Sequence, residues 1–240
     1  MSLIEVRGIV KQYHNRKVVD GVDLQVENRS VVGLLGPNGA GKTTSFYIIA
    51  GFVRPDSGRV YLDGEDITSL PIHKRAREGI SYLAQEPSIF KKLTVEENIR
   101  IVLEPLGLSD DEIDNRINNL LEDMKIQALA TSKAHTLSGG ERRRVEIMRA
   151  LAIKPRFILL DEPFAGIDPL SVADLQQLIL ELKNKGLGIL ISDHNVRETL
   201  SVCDNAYIIN GGKIFTSGNA DDIINNEEAR KIYLGETFSI

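Results

Sequence analysis

The stretch "GLLGPNGAGKTT", residues 33–44, decides the fold of this chain, because it joins an apolar strand to a helix through a glycine-rich loop. Residues 36–43 fit the pattern G-x-x-x-x-G-K-[ST], in which successive backbone N–H groups curl around a phosphate. The following helix directs its positive N-terminal end at the same anion. Lys42 adds a charge for the outer phosphates, and Thr43 offers a hydroxyl to Mg²⁺. We therefore predict a nucleotide site formed by Gly36, Pro37, Asn38, Gly39, Ala40, Gly41, Lys42, Thr43 and Thr44.

Short apolar segments that alternate with helical segments predict an α/β fold with a mostly parallel sheet. These segments are "VVGLLG", "GISYLAQ", "FILLDEP" and "LGILISDHN". Three other segments, "LIEVRGIVKQY", "KVVDGVDLQVEN" and "RVYLDGEDI", partly alternate in polarity and predict an antiparallel subsheet. Asp168 and Pro169 predict a helix start and Gly186 its end. "INGG" predicts a hairpin, followed by a charged helix that ends near "YLGETFSI".

Between Pro87 and Pro155 the sequence changes to helix formers and charged residues. We predict one domain over 1–240, in which 1–86 and 156–240 form the nucleotide-binding core with the antiparallel subsheet. Residues 87–155 form an inserted helical subdomain. Its stretch "DDEIDNRINNLLEDMKI" places five apolar residues at helical spacing, namely Ile113, Ile117, Leu120, Leu121 and Met124.

Composition limits the classes of partner. A net charge of −5 provides no global basic field, so we expect no nucleic-acid partner. No apolar run approaches the roughly 18–20 residues that span a bilayer, so we expect no direct membrane insertion. The lone Cys203 cannot form an internal disulfide, and the amino terminus lacks signal-peptide features. These observations predict a cytoplasmic protein whose role at a membrane requires partner subunits.

The strand "FILLDEP" delivers two acids, Asp161 and Glu162, at its carboxyl end. One carboxylate suits the Mg²⁺ shell, and the second suits a base that orients or deprotonates an attacking water. Two acids at a strand end are more often solvated or capping groups. The upstream phosphate loop favours the catalytic interpretation.

The segment "LSGGERRRVEIMRALA" opens a second helix with a serine and two glycines, a start that can accept an anion. One nucleotide does not need two such sites from one subunit. A two-fold dimer would use both, with residues 138–140 of each chain closing over the phosphate held by its neighbour. The alternative is an ordinary helix start with a solvated basic face. On the dimer interpretation the nucleotide contacts are Ser138, Gly139, Gly140 and Glu141.

Together these motifs resemble one family, the ATP-binding cassette (ABC) ATPases, over nearly the whole chain. "GPNGAGKTT" resembles its Walker A motif, "LSGGE" its signature and "FILLDE" its Walker B motif. "AGID" resembles its D-loop and "SDHN" its switch-histidine loop, in the family's order. The resemblance implies a P-loop ATPase that uses ATP and Mg²⁺ and forms a homodimer in its ATP-bound state.

The resemblance also implies roles for residues that carry little signal alone. Gln85 would sense Mg²⁺ and water, His194 would donate a hydrogen bond to the γ-phosphate, Asp168 would lie at the dimer seam, and Tyr13 would stack on adenine. Their alternatives are, in the same order, a strand-end amide, an ordinary strand-end histidine, a helix cap and a core aromatic. The expected catalytic residues are then Glu162, His194 and Gln85, and the expected metal ligands are Thr43, Gln85 and Asp161. Three histidines match no motif and are expected at the surface, namely His14, His73 and His135.

Two departures from the common family pattern indicate a subgroup. The signature ends in Glu141 where glutamine is commonest, and residues 165–168 read "AGID". With "SDHNVRETLSVCD" and "YLGETFSI", the chain resembles the ATP-binding subunits of bacterial lipopolysaccharide export systems. Such a subunit would lie on the cytoplasmic face of the inner membrane. The nearest alternative is the ATPase of branched-chain amino-acid importers, which shares the altered D-loop.

Other functional classes receive less support. A soluble ABC ATPase of the DNA-repair type would carry a long coiled coil, whereas the interval here has no sustained heptads. Ribosome-acting members carry two cassettes in one chain, and a regulatory module without turnover would not need Glu162 and His194. The resemblance implies that residues 85–93 form a docking groove for a coupling helix, through which two integral-membrane subunits would bind. Here that stretch holds apolar residues beside two lysines, and the alternative is a small core for the helical subdomain. The residues concerned are Ile89, Phe90, Lys91, Lys92 and Leu93.

Overall fold

The computed structural model describes residues 2–235 and contains two sheets. The strands are β1 (Leu3–Tyr13), β2 (Arg16–Glu27), β3 (Val31–Leu35), β4 (Ser57–Leu62), β5 (Glu65–Asp66), β6 (Ile80–Leu83), β7 (Phe157–Asp161), β8 (Gly188–Asp193), β9 (Asn205–Asn210) and β10 (Lys213–Gly218). The helices are α1 (Lys42–Ala50), α2 (Ile72–Arg77), α3 (Val95–Leu103), α4 (Asp110–Asp123), α5 (Gly139–Ala152), α6 (Pro169–Asn184), α7 (Val196–Leu200), α8 (Ala220–Asn225) and α9 (Glu227–Ala229). A π-helical turn, Arg230–Leu234, follows α9. The rest of the predicted terminal segment, 236–240, lies outside the described residues.

The larger sheet has the strand order β10-β9-β3-β8-β7-β6. Its strands pair in parallel from β9 to β6, and β10 pairs antiparallel with β9 through the predicted "INGG" hairpin. Every residue of β3, β7 and β8 is buried, which explains their almost continuous apolar sequence. The carboxyl ends of these central strands carry the phosphate loop, the acidic pair and the switch histidine. Ligands of open α/β sheets bind at this edge.

The smaller sheet is antiparallel, with the order β2-β1-β4-β5, as predicted. Its apolar face and one face of the larger sheet enclose α1, the helix that follows the phosphate loop. Phe46 and Ile49 of α1 are fully buried there with Val6 and Val22 from the smaller sheet and Leu159 from the larger one. The helix that presents the phosphate loop is therefore held from both sides by a shared core.

The region formed by α3, α4 and α5 covers the opposite face of the larger sheet. The apolar residues predicted for α4 are all buried: Ile113, Ile117, Leu120, Leu121 and Met124. They belong to one cluster with Leu160 and Ile191 of the central strands. The helical region thus shares its core with the sheet. The division of the chain at 86/87 and 155/156 stays a prediction.

A buried arginine fixes the carboxyl end of α1. The Arg75 guanidinium, 1% exposed, donates to the carbonyls of Ile48 (2.8 Å), Ile49 (2.6 Å) and Leu70 (2.9 Å). Its contacts with Ile48 and Ile49 bind carbonyls in the last turn of α1 and complement the negative end of the helix dipole. Burial lowers the pKa of Arg75 to about 10, so the group is charged at neutral pH. No motif in the sequence indicates this contact, and we did not predict it from the sequence.

Candidate nucleotide-binding site

Two glycines of the phosphate loop are required by close backbone contacts. A Cβ on Gly36 would lie 2.1 Å from the carbonyl oxygen of Ile209, and one on Gly41 would lie 2.4 Å from that of Val18. Both glycines also have positive φ, at 154° and 110°. The G-x-x-x-x-G spacing therefore lets the loop pass close against β9 and β2 before α1 begins.

Lys42 lies inside this loop and is 5% exposed. Its Nζ donates to the carbonyls of Gly36 (2.6 Å) and Pro37 (3.1 Å). Burial lowers the pKa of Lys42, and the charges of Glu162, Asp193 and Asp161 oppose that effect. The loop thus holds a desolvated ammonium near three carboxylates, a suitable position for binding the outer phosphates of a nucleotide.

Asp161, at the carboxyl end of β7, is a buried carboxylate and is 4% exposed. It accepts a hydrogen bond of 3.1 Å from the Tyr82 hydroxyl. Burial raises the pKa of Asp161, against the lowering effect of the Tyr82 hydrogen bond. Residues 2–235 hold no cluster of three or more His, Cys, Asp or Glu that could form a complete metal cage. The carboxylate of Asp161 fits Mg²⁺, which usually binds through one or two carboxylates together with substrate phosphates and water.

Glu162 meets two other predicted catalytic residues. Its Oε2 accepts a hydrogen bond of 2.8 Å from Gln85 Nε2 and lies 3.2 Å from His194 Nδ1. The backbone of Glu162 is left-handed, with φ of 45°, and its N–H donates to the carbonyl of Ser192 over 2.6 Å. The structure therefore brings together the side chains that follow β6, β7 and β8. Their catalytic roles stay predictions.

Asp193 organises the loops around this cluster, a role that the sequence did not predict. Its fully buried carboxylate accepts hydrogen bonds from the backbone N–H of Phe164 (3.0 Å) and of Asn195 (2.8 Å). Burial raises the pKa of Asp193, and those two hydrogen bonds oppose that effect. The carboxylate ties the loop after β7 to the loop that carries His194. Its only signal in the sequence is the acid before the histidine in "SDHN".

The signature begins α5 as predicted, with Ser138 as its N-cap. Ser138 Oγ accepts from the N–H of Glu141 (3.3 Å), and Glu141 Oε2 accepts from the N–H of Ser138 (2.7 Å). These reciprocal hydrogen bonds give Glu141 a structural role as a capping residue. Within residues 2–235 no described hydrogen bond joins 138–141 to the phosphate loop. Nucleotide contacts by Ser138, Gly139, Gly140 and Glu141 stay predictions.

Asp168 is the N-cap of α6, as in the alternative that the sequence left open. Its side chain accepts from the N–H groups of Leu170 and Ser171 (both 3.1 Å) and from the Ser171 hydroxyl (2.6 Å). These hydrogen bonds, of which the one from the Ser171 hydroxyl is the largest influence, lower the pKa of Asp168. Leu170 beside it is 82% exposed. A place for Asp168 at a dimer seam stays a prediction that is compatible with the cap.

Tyr13 and the three histidines that match no motif are all exposed. Tyr13 lies at the end of β1 and is 44% exposed, so it is not a core aromatic. Stacking of Tyr13 on adenine stays a prediction. The three histidines without a motif are exposed, as expected: His14, His73 and His135.

The predicted docking stretch, 85–93, divides between core and surface. Ile89 is buried in the cluster that α3, α4 and α5 share with the sheet, which favours the core alternative for this residue, and its place in a docking groove stays a prediction. Phe90 is exposed, and the Arg149 guanidinium lies 4.7 Å from its ring centroid. Leu93 is half-buried. Phe90 is therefore the most exposed apolar residue among Ile89, Phe90 and Leu93 and the one most accessible to a partner.

The described part of the chain has no helix that is both long enough and apolar enough to span a bilayer.

Comparison with known proteins agrees with this geometry. Residues 19–165 match the family described as ABC transporter. The chain is 53% identical to the lipopolysaccharide export system ATP-binding protein LptB of Acidithiobacillus ferridurans, across 100% of this chain and 99% of that protein. The protein of the same name from Escherichia coli strain K12 is 50% identical across the full length of both.

Solved structures extend the agreement to the fold. The crystal structure of an ATP-binding cassette of an ABC transporter in its ADP conformation aligns with a TM-score of 0.88 and 33% identity, over 98% of this chain and 100% of that one. A second solved structure, cbiO1 of Clostridium perfringens, aligns with a TM-score of 0.87 and 28% identity, over 95% and 92% of the two chains. The chain therefore belongs to the ABC transporter family, as one of its ATP-binding, ATP-hydrolysing subunits.

Proposed function

We propose that this chain is the ATPase subunit of a bacterial lipopolysaccharide export system and drives extraction of lipopolysaccharide from the inner membrane. The observation that carries the proposal is the 50–53% identity, over the full length, to relatives named for that system. These relatives do not favour the two alternatives from the sequence analysis, namely a branched-chain amino-acid importer ATPase and a soluble ATPase that acts on DNA or ribosomes. The subunit would act on the cytoplasmic face of the inner membrane, bound there through its membrane partners.

The site residues divide the chemistry of hydrolysis among them. Backbone N–H groups of the phosphate loop and Lys42 bind and orient the phosphates. Thr43, Asp161 and Gln85 would hold Mg²⁺, which when bound neutralises phosphate charge. Glu162 orients the attacking water and takes its proton, while His194 donates a hydrogen bond to the γ-phosphate. The cluster of Gln85, Glu162 and His194 supports this assignment.

Two copies of the chain would close around two Mg-ATP. The signature offers a second helix N-terminus for an anion, and no described hydrogen bond connects it to the phosphate loop of its own chain. A two-fold dimer satisfies both sites, because each signature then faces the partner's nucleotide. Exposed Ser138 and exposed Leu170 are available to such a contact.

Two integral-membrane subunits would dock against the segment that follows Gln85. Phe90 supports this part of the proposal, because an exposed aromatic ring beside an arginine is typical of an interface anchor. Lys91 and Lys92 add exposed positive charge at the same place.

The test is purification of the tagged chain in gentle detergent, with identification of the membrane chains that accompany it. The purified complex is then reconstituted in vesicles that contain lipopolysaccharide. We expect ATP-dependent release of lipopolysaccharide to an acceptor, and we expect none from the matched Glu162→Gln complex. Recovery of amino-acid importer subunits, or of no membrane subunit, would contradict the proposal.

A further inference from the structure

Helix α5 carries three charged residues on one face, Arg143, Glu146 and Arg149, at intervals of three residues. All three bind the backbone of the loop at residues 84–90. Arg143 Nη1 donates to the carbonyl of Ala84 (3.1 Å), and Glu146 Oε1 accepts from the N–H of Ser88 (2.7 Å). Arg149 Nη1 donates to the carbonyl of Ser88 (2.5 Å). We call these three side chains the α5 clamp.

Glu146 is the centre of the α5 clamp, because it also compensates a buried charge. Its side chain is 4% exposed and lies 3.2 Å from Nη1 of Arg143, whose side chain is 11% exposed. Burial lowers the pKa of Arg143, and the charge of Glu146 opposes that effect. Nε and Nη2 of Arg143 are buried without a hydrogen-bond partner in the described structure. Removing Glu146 would therefore take away the countercharge that lies 3.2 Å from Arg143 and the acceptor of the Ser88 N–H.

The far end of the loop is fixed to the same helical region. Asn98 of α3 is fully buried, accepts from the N–H of Phe90 (2.9 Å) and donates to its carbonyl (3.1 Å). The Arg149 guanidinium packs over the Phe90 ring. Phe90 is thus an exposed ring on a backbone held by two helices, while Gln85 at the other end contacts Glu162.

We propose that Glu146 is a positioning residue that fixes loop 84–90 to α5, so that a load on Phe90 reaches both Gln85 and the signature. Helix α5 begins directly after its N-cap Ser138, and its second half carries Glu146 and Arg149. The inference rests on the proposed function in taking Phe90 as the docking residue for a membrane partner. The attachment of the loop to α5 does not depend on that function.

The attachment is tested on the full chain by hydrogen–deuterium exchange. Glu146→Ala should raise exchange at the Ser88 amide at least tenfold and leave β7 and β8 unchanged. Glu146→Gln, which keeps an acceptor oxygen, should retain most of the protection. Glu96→Ala, which removes a more exposed carboxylate from α3, is the matched control and should change nothing at Ser88. Unchanged exchange in Glu146→Ala would overturn the proposal.

Transmission is tested by comparing the isolated chain with its purified membrane complex. For the isolated chain, we expect kcat and KM for ATP within threefold of wild type in Glu146→Ala. In the complex, stimulation of ATPase activity by the membrane subunits should fall at least tenfold, and Glu146→Gln should restore most of it. Full stimulation in Glu146→Ala would refute transmission through the α5 clamp.

Two further variants distinguish a folding defect of Glu146→Ala from a wrong docking assignment for Phe90. If Glu146→Ala does not fold, Ser88→Pro removes the donor N–H from the loop side and must lower the stimulation by the membrane subunits in the same way, with faster exchange at the remaining amides of residues 84–90. If Phe90→Ala assembles normally with the membrane subunits, the docking assignment fails. The exchange result at Ser88 then still decides whether Glu146 fixes the loop.

Discussion

Gln85 and Glu162 lie 77 positions apart in sequence, yet Nε2 of Gln85 donates to Oε2 of Glu162 over 2.8 Å. The contact follows from the sheet, because β6 and β7 pair in parallel and end side by side. Each strand delivers its next polar residue to the same edge. The loop that continues to Phe90 therefore begins in contact with the proposed base.

Glu162→Gln should abolish turnover while keeping ATP affinity. The amide preserves shape and can still contact Gln85, but it cannot take a proton from water. Loss of a general base typically lowers kcat by about 10²–10⁴-fold. Steady-state hydrolysis and equilibrium ATP binding measure the two effects, with Glu122→Gln on the exposed face of α4 as control. Hydrolysis within threefold of wild type would remove Glu162 from its proposed role.

Mg-ATP should convert the Glu162→Gln chain from monomer to dimer, because nucleotide bound between two copies favours the closed form. Adding Ser138→Arg should prevent the change in sedimentation. Ser109→Arg is a matched control, since Ser109 caps α4 through the same reciprocal hydrogen bonds with Glu112. Each substitution should cost about 1 kcal/mol of stability through its lost cap. Equal dimerisation by both arginine variants would contradict the shared-site arrangement.

Phe90→Ala should spare nucleotide binding by the isolated chain and weaken its association with the membrane subunits. Truncation of an aromatic anchor costs on the order of 2 kcal/mol, roughly a thirtyfold loss of affinity. Affinity measurements with detergent-solubilised subunits check this, and Leu106→Ala, which truncates a similarly exposed residue, is the control. Loss of thermal stability and ATP binding before any loss of assembly would instead show that the Phe90 ring stabilises the fold and is not the docking anchor.

Asp161→Asn should stabilise the nucleotide-free chain at pH 7 by about 0.5–2 kcal/mol while abolishing Mg²⁺-dependent hydrolysis. Burial raises the pKa of Asp161 above its unfolded value, so the folded state binds the proton more tightly. Wild-type stability therefore falls as pH rises from the ordinary aspartate range through the raised value. Asparagine does not titrate, so the Asp161→Asn chain does not lose stability in this pH range. Its excess free energy of unfolding over wild type should shrink as the pH approaches 4.

Urea unfolding between pH 4 and pH 8 measures this difference. Asp111→Asn, an exposed aspartate in the first turn of α4, is the control and should show no comparable pH-dependent gain. An Asp161→Asn chain less stable than wild type at pH 7 would show that the buried carboxylate does not destabilise the fold.

The strands, the phosphate loop and the acidic strand end could be predicted because each depends on residue types at a fixed spacing within a short segment. Burial of β3, β7 and β8 requires apolar runs, and the close approach of Gly36 to β9 requires glycine. Ile89 and Phe90 could not be separated in the same way. They are adjacent apolar residues in an irregular loop, where no periodicity tells which side chain faces the core.

Long-range polar contacts account for what the sequence did not reveal. Arg75 lies in a charged segment that resembles an ordinary surface helix, and Asp193 ends the apolar strand β8, where an acid resembles an ordinary solvated strand-end residue. Their importance comes from carbonyl and N–H groups that only the folded chain brings to them. For Arg75 and Asp193, the residue type and its neighbours in the sequence do not indicate that the side chain is buried.

Helix α5 has 14 residues; Ser138 of the signature caps its first turn, and its second half binds the loop that carries Phe90. At a rise of about 1.5 Å per residue the helix is roughly 20 Å long, so a tilt of about 10° displaces one end by some 3–4 Å relative to the other. That displacement exceeds the range of a hydrogen bond. If Phe90 docks a membrane subunit and Ser138 contacts the partner's nucleotide, as proposed, a small rotation of α5 would make or break the contacts at Ser138 together, and a graded push at the membrane would become a discrete choice between open and closed.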